Sequence, residues 1–589
     1  MRRAAPQILV CVFMMFVSAK AHSAAVATPS TWATEAAIDV LKQGGNAMDA
    51  LVTATFVTNV TLPYHMGIGG GGFLLASHDG KKVSAWDSRE AAPASAHEKM
   101  FLDAGGKPIR HYPEAVTGPN AVGVPGTVMG LWVAHQKLGS MPWKTLLQPA
   151  IKIARAGVPI TGKFEEALVN YWERISVFPT TAALFSDGHG SHIKVGRTFR
   201  NPLLAETFEQ IASMGGPAFY RGKLAESWIS QAQKSGVKIT LDDLKNYKVR
   251  EVSPVTYDVF GMKAMTMTPP SAAGITVAGT LRYLERYYRA HNVPPADSPA
   301  RVIVTNEALR YFAVLRNKTI ADPPHALLDP KKWLGSAEEK AAWAEIDKKI
   351  KARLEKIQTA FTSTTPELTA PRLAFQALRK NFASLDKTVQ TTNAGDSPSS
   401  HTAHLSIVDD KGMAVSYTNT IEEWFGSGIT VTGHGFLLNN ELSDFTKEPG
   451  QPNSPKAGKR PRSNMSPHLF FDKSGALVGA IGCAGGGRIP TVVVEALENF
   501  HLHKMTAREA LAYSRFHPVD DDKITVERTM PKNTIEQLKD AGYDVEVAEV
   551  FGPKALGGTA QAVMRRTRKA AWEAASEPRA DGLGLTVKK

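Results

Sequence analysis

The feature that most constrains this chain is a junction at residue 402. From roughly 359 to 401 the composition shifts to Thr, Ser, Pro, Asn and Gly, as in Thr391-Thr392-Asn393-Ala394-Gly395-Asp396-Ser397-Pro398-Ser399-Ser400. That composition predicts a flexible, exposed segment. Immediately afterwards Thr402-Ala403-His404-Leu405-Ser406-Ile407-Val408 alternates polar and apolar residues, Asp409-Asp410-Lys411-Gly412 is a turn signal, and Met413 to Thr420 is a second strand. Residues 402–420 are therefore predicted to form a β-hairpin. A loose segment that meets a strand beginning with threonine singles out Thr402.

Composition sets the frame around this junction. The chain has 589 residues, 43% of them apolar, enough for one large composite domain or several ordinary ones and too apolar for wholesale disorder. Cys11 and Cys483 are its two cysteines, so neither a disulfide framework nor a Cys-rich zinc site is available. The formal charge of +13 is spread over scattered Lys and Arg without a long basic run, which reads as solubility rather than a nucleic-acid partner. Met1-Arg2-Arg3, the apolar run Ile8 to Val17 and Ala19-Lys20-Ala21 read as a secretory signal peptide over residues 1–21. The apolar run is too short to span a bilayer, and no later segment is long and apolar enough. The expected product is an exported protein, periplasmic or secreted, whose one remaining thiol is Cys483.

Elsewhere the periodicities are local. Thr34 to Lys42 reads as a helix stopped at Gly44-Gly45, and Asn46 opens another through Ala50 and Ala54. Gly67-Ile68-Gly69-Gly70-Gly71-Gly72 matches a dinucleotide-binding string, but the order here is helix, glycines, strand, whereas such a site needs strand, glycines, helix. A close-packed turn is the simpler expectation. Thr240 caps a short helix, Pro269 to Gly274 is a turn, and Ser336 with Glu339 makes a capping box before Trp343, Ile346, Ile350 and Leu354 at helical spacing. His401 and His404 fall on opposite faces of a strand, which argues against a metal site. His517 and Asp520 to Asp522 are expected in a solvated polar loop.

The residues around Thr402 resemble the γ-glutamyltransferase (γ-glutamyltranspeptidase) family of N-terminal-nucleophile hydrolases. The resemblance covers nearly the whole chain after residue 21. It runs through Gly44 to Ala50, Gly67 to Phe73, Asp87-Ser88-Arg89-Glu90 and Val124-Pro125-Gly126 in the first part. In the second part it runs through Thr402 to Ser406, Phe425 to Gly428, Leu438 to Phe445, Arg460 to Pro467 and Gly485-Gly486-Gly487-Arg488. It implies an α+β, four-layer αββα sandwich and a precursor that cuts itself between His401 and Thr402. The large subunit would be 22–401 and the small catalytic subunit 402–589, the two forming one composite domain. No cofactor or metal is implied.

The same resemblance assigns roles. Thr402 is the nucleophile, and the α-amine freed by cleavage is its base, since such amines have pKa values of about 7.7–8.0. Thr420 bonds the nucleophile, and the backbone of Gly485 and Gly486 forms the oxyanion hole. Arg89, Ser463 and Asn464 take the α-carboxylate of a γ-glutamyl group, Asn464 standing where relatives often have Ser. Glu441 and Asp444 take its α-ammonium. Glu422 stands where known members carry Asn; it either strengthens the ammonium pocket, or faces elsewhere or rejects the usual substrate. Only Ser454-Pro455-Lys456-Ala457-Gly458 separates Asn453 from Lys459, so the lid of some relatives is missing and the site should be open.

The implied partners are γ-glutamyl donors such as glutathione and amino-acid or peptide acceptors. A glutaryl-cephalosporin acylase or a poly-γ-glutamate-processing enzyme would use the same machinery, and a secreted inactive scaffold would need none of it. Cys483, two residues before Gly485, is expected as a small buried residue; a reactive thiol there would distort the oxyanion loop on modification.

Overall fold

The structure is a computed structural model that describes residues 23–78, 82–109, 114–360, 402–552 and 554–587. The predicted signal peptide, most of the predicted flexible segment 359–401 and His401 lie outside the described residues.

Two antiparallel sheets form the centre. The seven-stranded sheet runs Leu583–Val587, Ala24–Thr28, Ala403–Val408, Ala414–Thr420, Gly71–Ser77, Val83–Ser88, Arg250–Val252. The six-stranded sheet runs Glu573–Ser576, Thr559–Met564, Leu477–Ala484, His468–Phe471, Met262–Thr266, Val255–Val259. Each sheet draws strands from both sides of residue 402. Along the strands, side chains alternate between two layers. Val26, Leu74, Ala76, Leu405 and Ile407 pack outward under the helices Ala47–Thr61, Thr127–Leu138 and Trp143–Ala156. Ala25, Ala27, Phe73 and Leu75 face inward and join one core with the six-stranded sheet and the helices Ala273–Ala290, Pro299–Thr319 and Ile489–His501. The result is a four-layer αββα sandwich, as the resemblance implies.

The hairpin forms with Thr418 opposite His404 and Asn419 opposite Ala403. The polar face of its first strand is not solvated. His404 is buried between the sheets, its ring nitrogens meeting Thr418 Oγ1 at 2.8 Å and Ser406 Oγ at 3.0 Å. Ser406 and Ser416 reach across to Gln561 O and Ile481 O, both at 3.2 Å. A Cβ at Gly482 would lie 2.3 Å from the His404 ring, so glycine is what lets the sheets approach here. Burial pushes the His404 pKa down to about 3, and the ring is neutral.

Local signals were followed closely in the helices. Asn46 accepts from Met48 N and Asp49 N at 3.0 Å, and Asp49 Oδ2 accepts from Asn46 N at 2.9 Å, a complete capping box. Ser336 caps Glu339 N at 3.3 Å, but the Glu339 carboxylate pairs instead with Gly335 N and the Arg282 guanidinium, because a fully buried charge needs a cation. That helix, Ala337–Ala360, buries Ile346 and Ile350, with Trp343 and Leu354 half-buried beside them. The predicted turn Pro269 to Gly274 is shorter than expected, since Ala273 already opens the helix Ala273–Ala290. His517 lies on the strand Phe516–Pro518, not in a solvated loop, with its Nδ1 2.9 Å from Thr491 Oγ1. Asp521 and Asp522 are exposed, as expected, and pair with Arg310 and Arg353.

Candidate active site

Thr402 heads the strand Ala403–Val408 at the edge of the sandwich and is 5% exposed. Its Oγ1 donates to Thr420 Oγ1 at 3.2 Å, on the neighbouring strand of the hairpin. Thr420 Oγ1 also accepts from Glu422 N at 2.8 Å, so one hydroxyl ties both ends of the turn to the nucleophile position. Thr402 has φ +89°, a left-handed conformation that a β-branched residue takes only under restraint. The restraint includes His65, whose Nδ1 lies 2.9 Å from the Thr402 carbonyl oxygen and therefore carries the proton. His65 was not foreseen as a site residue. It packs against Tyr64 and Trp424, directly before the glycine string.

Gly485 and Gly486 link the strand Leu477–Ala484 to the helix Ile489–His501 and have φ +129° and +54°. A Cβ at Gly485 would stand 2.8 Å from Gly558 Cα. A cavity of about 80 Å³ is lined by His65 and Trp424 on one side and by Gly557, Gly558 and Thr559 on the other. Of its lining residues, His65 bonds the Thr402 carbonyl and Gly558 packs on Gly485. The open N-terminus of the helix directs partial positive charge to this turn.

Arg89 follows the strand Val83–Ser88 and is fully buried. Its Nε donates to Pro461 O at 3.2 Å, and NH2 donates to Arg462 O at 3.0 Å and Asp444 Oδ2 at 2.6 Å. NH1 is paired with Glu441, and Glu90 stands 3.9 Å away. The acids expected for an ammonium are thus joined to the Arg expected for a carboxylate, because the buried guanidinium needs counter-charges. Burial, opposed by Arg89, pushes the Glu441 carboxyl well above the usual range. Glu422 is pushed the same way by burial, Asp444 and Glu423. Glu422 Oε2 and Glu441 Oε2 are buried without a hydrogen-bond partner. Glu422 has φ +74°, and its carboxyl lies within electrostatic reach of Asp444 and Arg89. Glu90, quoted in the sequence motif without a role, is raised to about 7 by burial, against the pull of the nearby Arg89.

Ser463 is buried beside Arg89, its N donating to Pro270 O at 2.9 Å and its hydroxyl accepting from Met465 N at 3.1 Å. Asn464 is half-buried next to it. The short loop between Asn453 and Lys459 is tied down at both ends. Asn453 Nδ2 donates to Asp444 O at 2.8 Å, and Lys459 Nζ donates to Pro452 O and Ser454 O. Cys483 is fully buried, with Sγ donating to Ala484 O at 2.9 Å, and burial pushes its thiol far up. Cys483 is thus the small buried residue expected, and its burial works against a reactive thiol there. Among the described residues no cluster of His, Cys, Asp and Glu is arranged to hold a metal ion, and no helix is long and apolar enough to cross a membrane.

A threonine hydroxyl at the head of a core strand, hydrogen-bonded to a second threonine within an αββα sandwich, defines an N-terminal-nucleophile hydrolase. The chain belongs to the gamma-glutamyltranspeptidase family, whose profile matches residues 33–587. It is 34% identical to the glutathione hydrolase proenzyme of Pseudomonas aeruginosa PAO1 over 96% of this chain and 94% of that protein. It is also 34% identical to the glutathione hydrolase proenzyme of Bacillus subtilis strain 168, over 88% and 84%. A cephalosporin acylase from Bacillus halodurans shares the fold, with a TM-score of 0.79 over 96% of both chains at 24% identity.

Proposed function

We propose that the protein is a self-processing γ-glutamyl hydrolase and transferase acting on glutathione and related γ-glutamyl amides. The observation that carries this is the contact of Thr402 Oγ1 with Thr420 Oγ1, on a sandwich that also joins Arg89 to Glu441 and Asp444. In the precursor, Thr402 Oγ1 attacks the His401 carbonyl, the C–N bond breaks to free the Thr402 α-amine and leave an ester on Oγ1, and water hydrolyses that ester to release the His401 carboxylate and restore the hydroxyl. That amine then accepts the Oγ1 proton as Oγ1 attacks the γ-carbonyl of the donor. The N–H groups of Gly485 and Gly486 hold the tetrahedral oxyanion, and Thr420 orients the nucleophile. The amine returns its proton to the leaving nitrogen, leaving a γ-glutamyl ester on Thr402. Water, or an amino acid or peptide amine, resolves it.

In the donor pocket Arg89, Ser463 and Asn464 take the α-carboxylate, and Glu422, Glu441 and Asp444 take the α-ammonium. A zwitterion is what such a pocket needs: it replaces the internal Arg89–acid pairs while keeping every charge partnered. Residues 1–21 direct export to the periplasm or beyond and are removed.

Mass spectrometry of the purified protein tests this reading. Two chains, 22–401 and 402–589, are expected, with release of p-nitroaniline from γ-glutamyl-p-nitroanilide. The Thr402→Ala variant should stay one chain and lose at least about a thousand-fold in turnover. An uncut wild-type chain with no anilide turnover would overturn it.

A further inference from the structure

Beside the donor pocket lies a group of cations that the mechanism above does not use. Arg316, at the end of the helix Pro299–Thr319, is 7% exposed and among the described residues makes one side-chain hydrogen bond, from Nε to Asn317 Oδ1 at 3.2 Å, while its buried NH1 has no partner among them. Arg462 NH1 donates to the carbonyl oxygen of the same Asn317 at 2.7 Å, so two guanidinium groups meet on one residue. Arg488 directly follows Gly485-Gly486-Gly487, caps the helix Ile489–His501 and leaves Nε buried without a partner. None of the three forms an ion pair with a described residue. The two acids within electrostatic reach are already committed, Asp444 to Arg89 and Glu546 to Lys523 at 2.9 Å.

Like charge and burial are visible in the electrostatics. The Arg316 pKa is pushed down to about 10 by burial and by Arg462. His517 is pushed to about 3 by burial and then by Arg488 and Arg316, so those two cations flank one uncharged imidazole, while Arg462 meets Arg316 on Asn317. Buried guanidinium groups without counter-charges are costly unless an anion joins them.

We propose that Arg316, Arg462 and Arg488 form an anion subsite at the rim of the active site, and that it takes a carboxylate carried on the amine side of the scissile γ-glutamyl bond. This rests on the γ-glutamyl reading above. The placement follows from the neighbours. The Arg462 carbonyl holds Arg89, and Arg488 follows the glycines that receive the scissile oxygen, with Gly487 exposed beside it. The donor's own α-carboxylate is taken by Arg89, so the carboxylate left for the arginine rim is that of the leaving group or the acceptor. Planar guanidinium groups suit it bidentately. The C-terminus of a short peptide and the α-carboxylate of a γ-linked glutamate both supply this chemistry.

The test compares KM for glutathione with KM for its C-terminal amide, and KM for γ-glutamyl-glutamate with KM for the same donor amidated on the leaving residue. The wild type should favour the free carboxylate by about ten-fold or more in at least one pair, the scale of one charge-assisted hydrogen bond. Preference in the first pair assigns the anion to a peptide C-terminus, and preference in the second to a γ-linked glutamate. Arg462→Met should erase the preference and Arg462→Lys should restore part of it. No preference in either pair, or an equal rise in all KM values in Arg462→Met, overturns the subsite. If no γ-glutamyl donor were turned over, the function would fall, and calorimetry of the wild type with glycylglycine and glycylglycinamide would still decide the subsite. Tighter binding of the free dipeptide that is lost in Arg462→Met supports it, and equal binding or none overturns it.

Discussion

Removing the α-ammonium from the donor is the perturbation whose effect the pocket fixes most directly. Glutaryl-p-nitroanilide keeps the carboxylate and the scissile amide of γ-glutamyl-p-nitroanilide and differs by that one group. Arg89 and Glu441 are each 1% exposed, while the Asp444 side chain is 36% exposed. When the donor carboxylate engages Arg89, the acids lose part of their cation, and only the ammonium can replace it. Leaving one partner of a buried pair uncompensated costs about 3–5 kcal/mol. Two features place this case at the low end. Asp444 is partly solvated, and Glu422 and Glu441, with their pKa values raised by burial, can hold protons rather than charge. About 3 kcal/mol corresponds to roughly a hundred-fold in kcat/KM. Initial rates with the two anilides at neutral pH measure it, with the difference expected in KM and kcat together. A glutaryl rate within a few-fold of the γ-glutamyl rate, or above it, would refute the charge argument and favour an acylase. The same experiment on Glu422→Gln separates the third acid from the other two: discrimination should fall by up to about ten-fold, the scale of one partly neutralised charge.

Other consequences are as direct. Glu90 has its pKa raised by burial from 4.5 to about 7, so its contribution to stability is complete below about pH 4.5 and is lost as pH rises through about 7. Glu90→Gln should flatten that slope by an amount of order 3 kcal/mol between pH 5 and 8; parallel denaturation profiles for the two proteins would disprove it. Gly485→Ala puts a Cβ 2.8 Å from Gly558 Cα at φ +129°, so turnover should fall about a hundred-fold or more and the melting temperature should also drop. Unchanged turnover would remove Gly485 from the oxyanion hole. His65→Ala releases the Thr402 carbonyl and should slow self-cleavage about ten-fold, the scale of one lost hydrogen bond, followed as the half-life of the uncut band on a denaturing gel. An unchanged half-life would show that His65 does not position the scissile bond.

How much of this was legible depended on the range of the interaction. The hairpin and the helix starts at Asn46 and Thr240 use residues a few positions apart, and they formed where the sequence placed them, whereas the capping box expected at Ser336 kept only its Ser336 half. Alternation located the strand Ala403–Val408 but not the destination of its polar face, because His404 and Ser406 find their partners on Thr418 and on the second sheet. Arg89 and the acids Glu441 and Asp444 were visible as separate motifs. That they pair with one another needed the fold to bring residues more than 350 positions apart into contact. His65 and Arg316 left no local signal at all. The first acts on a carbonyl 337 residues away, and the second is unusual only because no described residue neutralises it.

The left-handed residues give the self-cleavage proposed above a physical push. Thr402, Glu422 and Phe425 all have positive φ, and such conformations cost of order 1–3 kcal/mol each. They persist because the surroundings over-determine them. The Thr420 hydroxyl bonds Thr402 and Glu422, Phe425 N donates to Tyr64 O at 3.1 Å, and Arg174 donates to the carbonyls of Trp424 and Gly426. The torsion φ of Thr402 is defined through its peptide bond to residue 401. Cutting that bond abolishes the strained torsion, while Glu422 and Phe425 stay clamped. Strain at Thr402 therefore favours the processed form by about 1–3 kcal/mol, and the clamp that stores it also keeps Oγ1 on Thr420 afterwards. One arrangement destabilises the precursor bond and preserves the nucleophile geometry that later turnover uses.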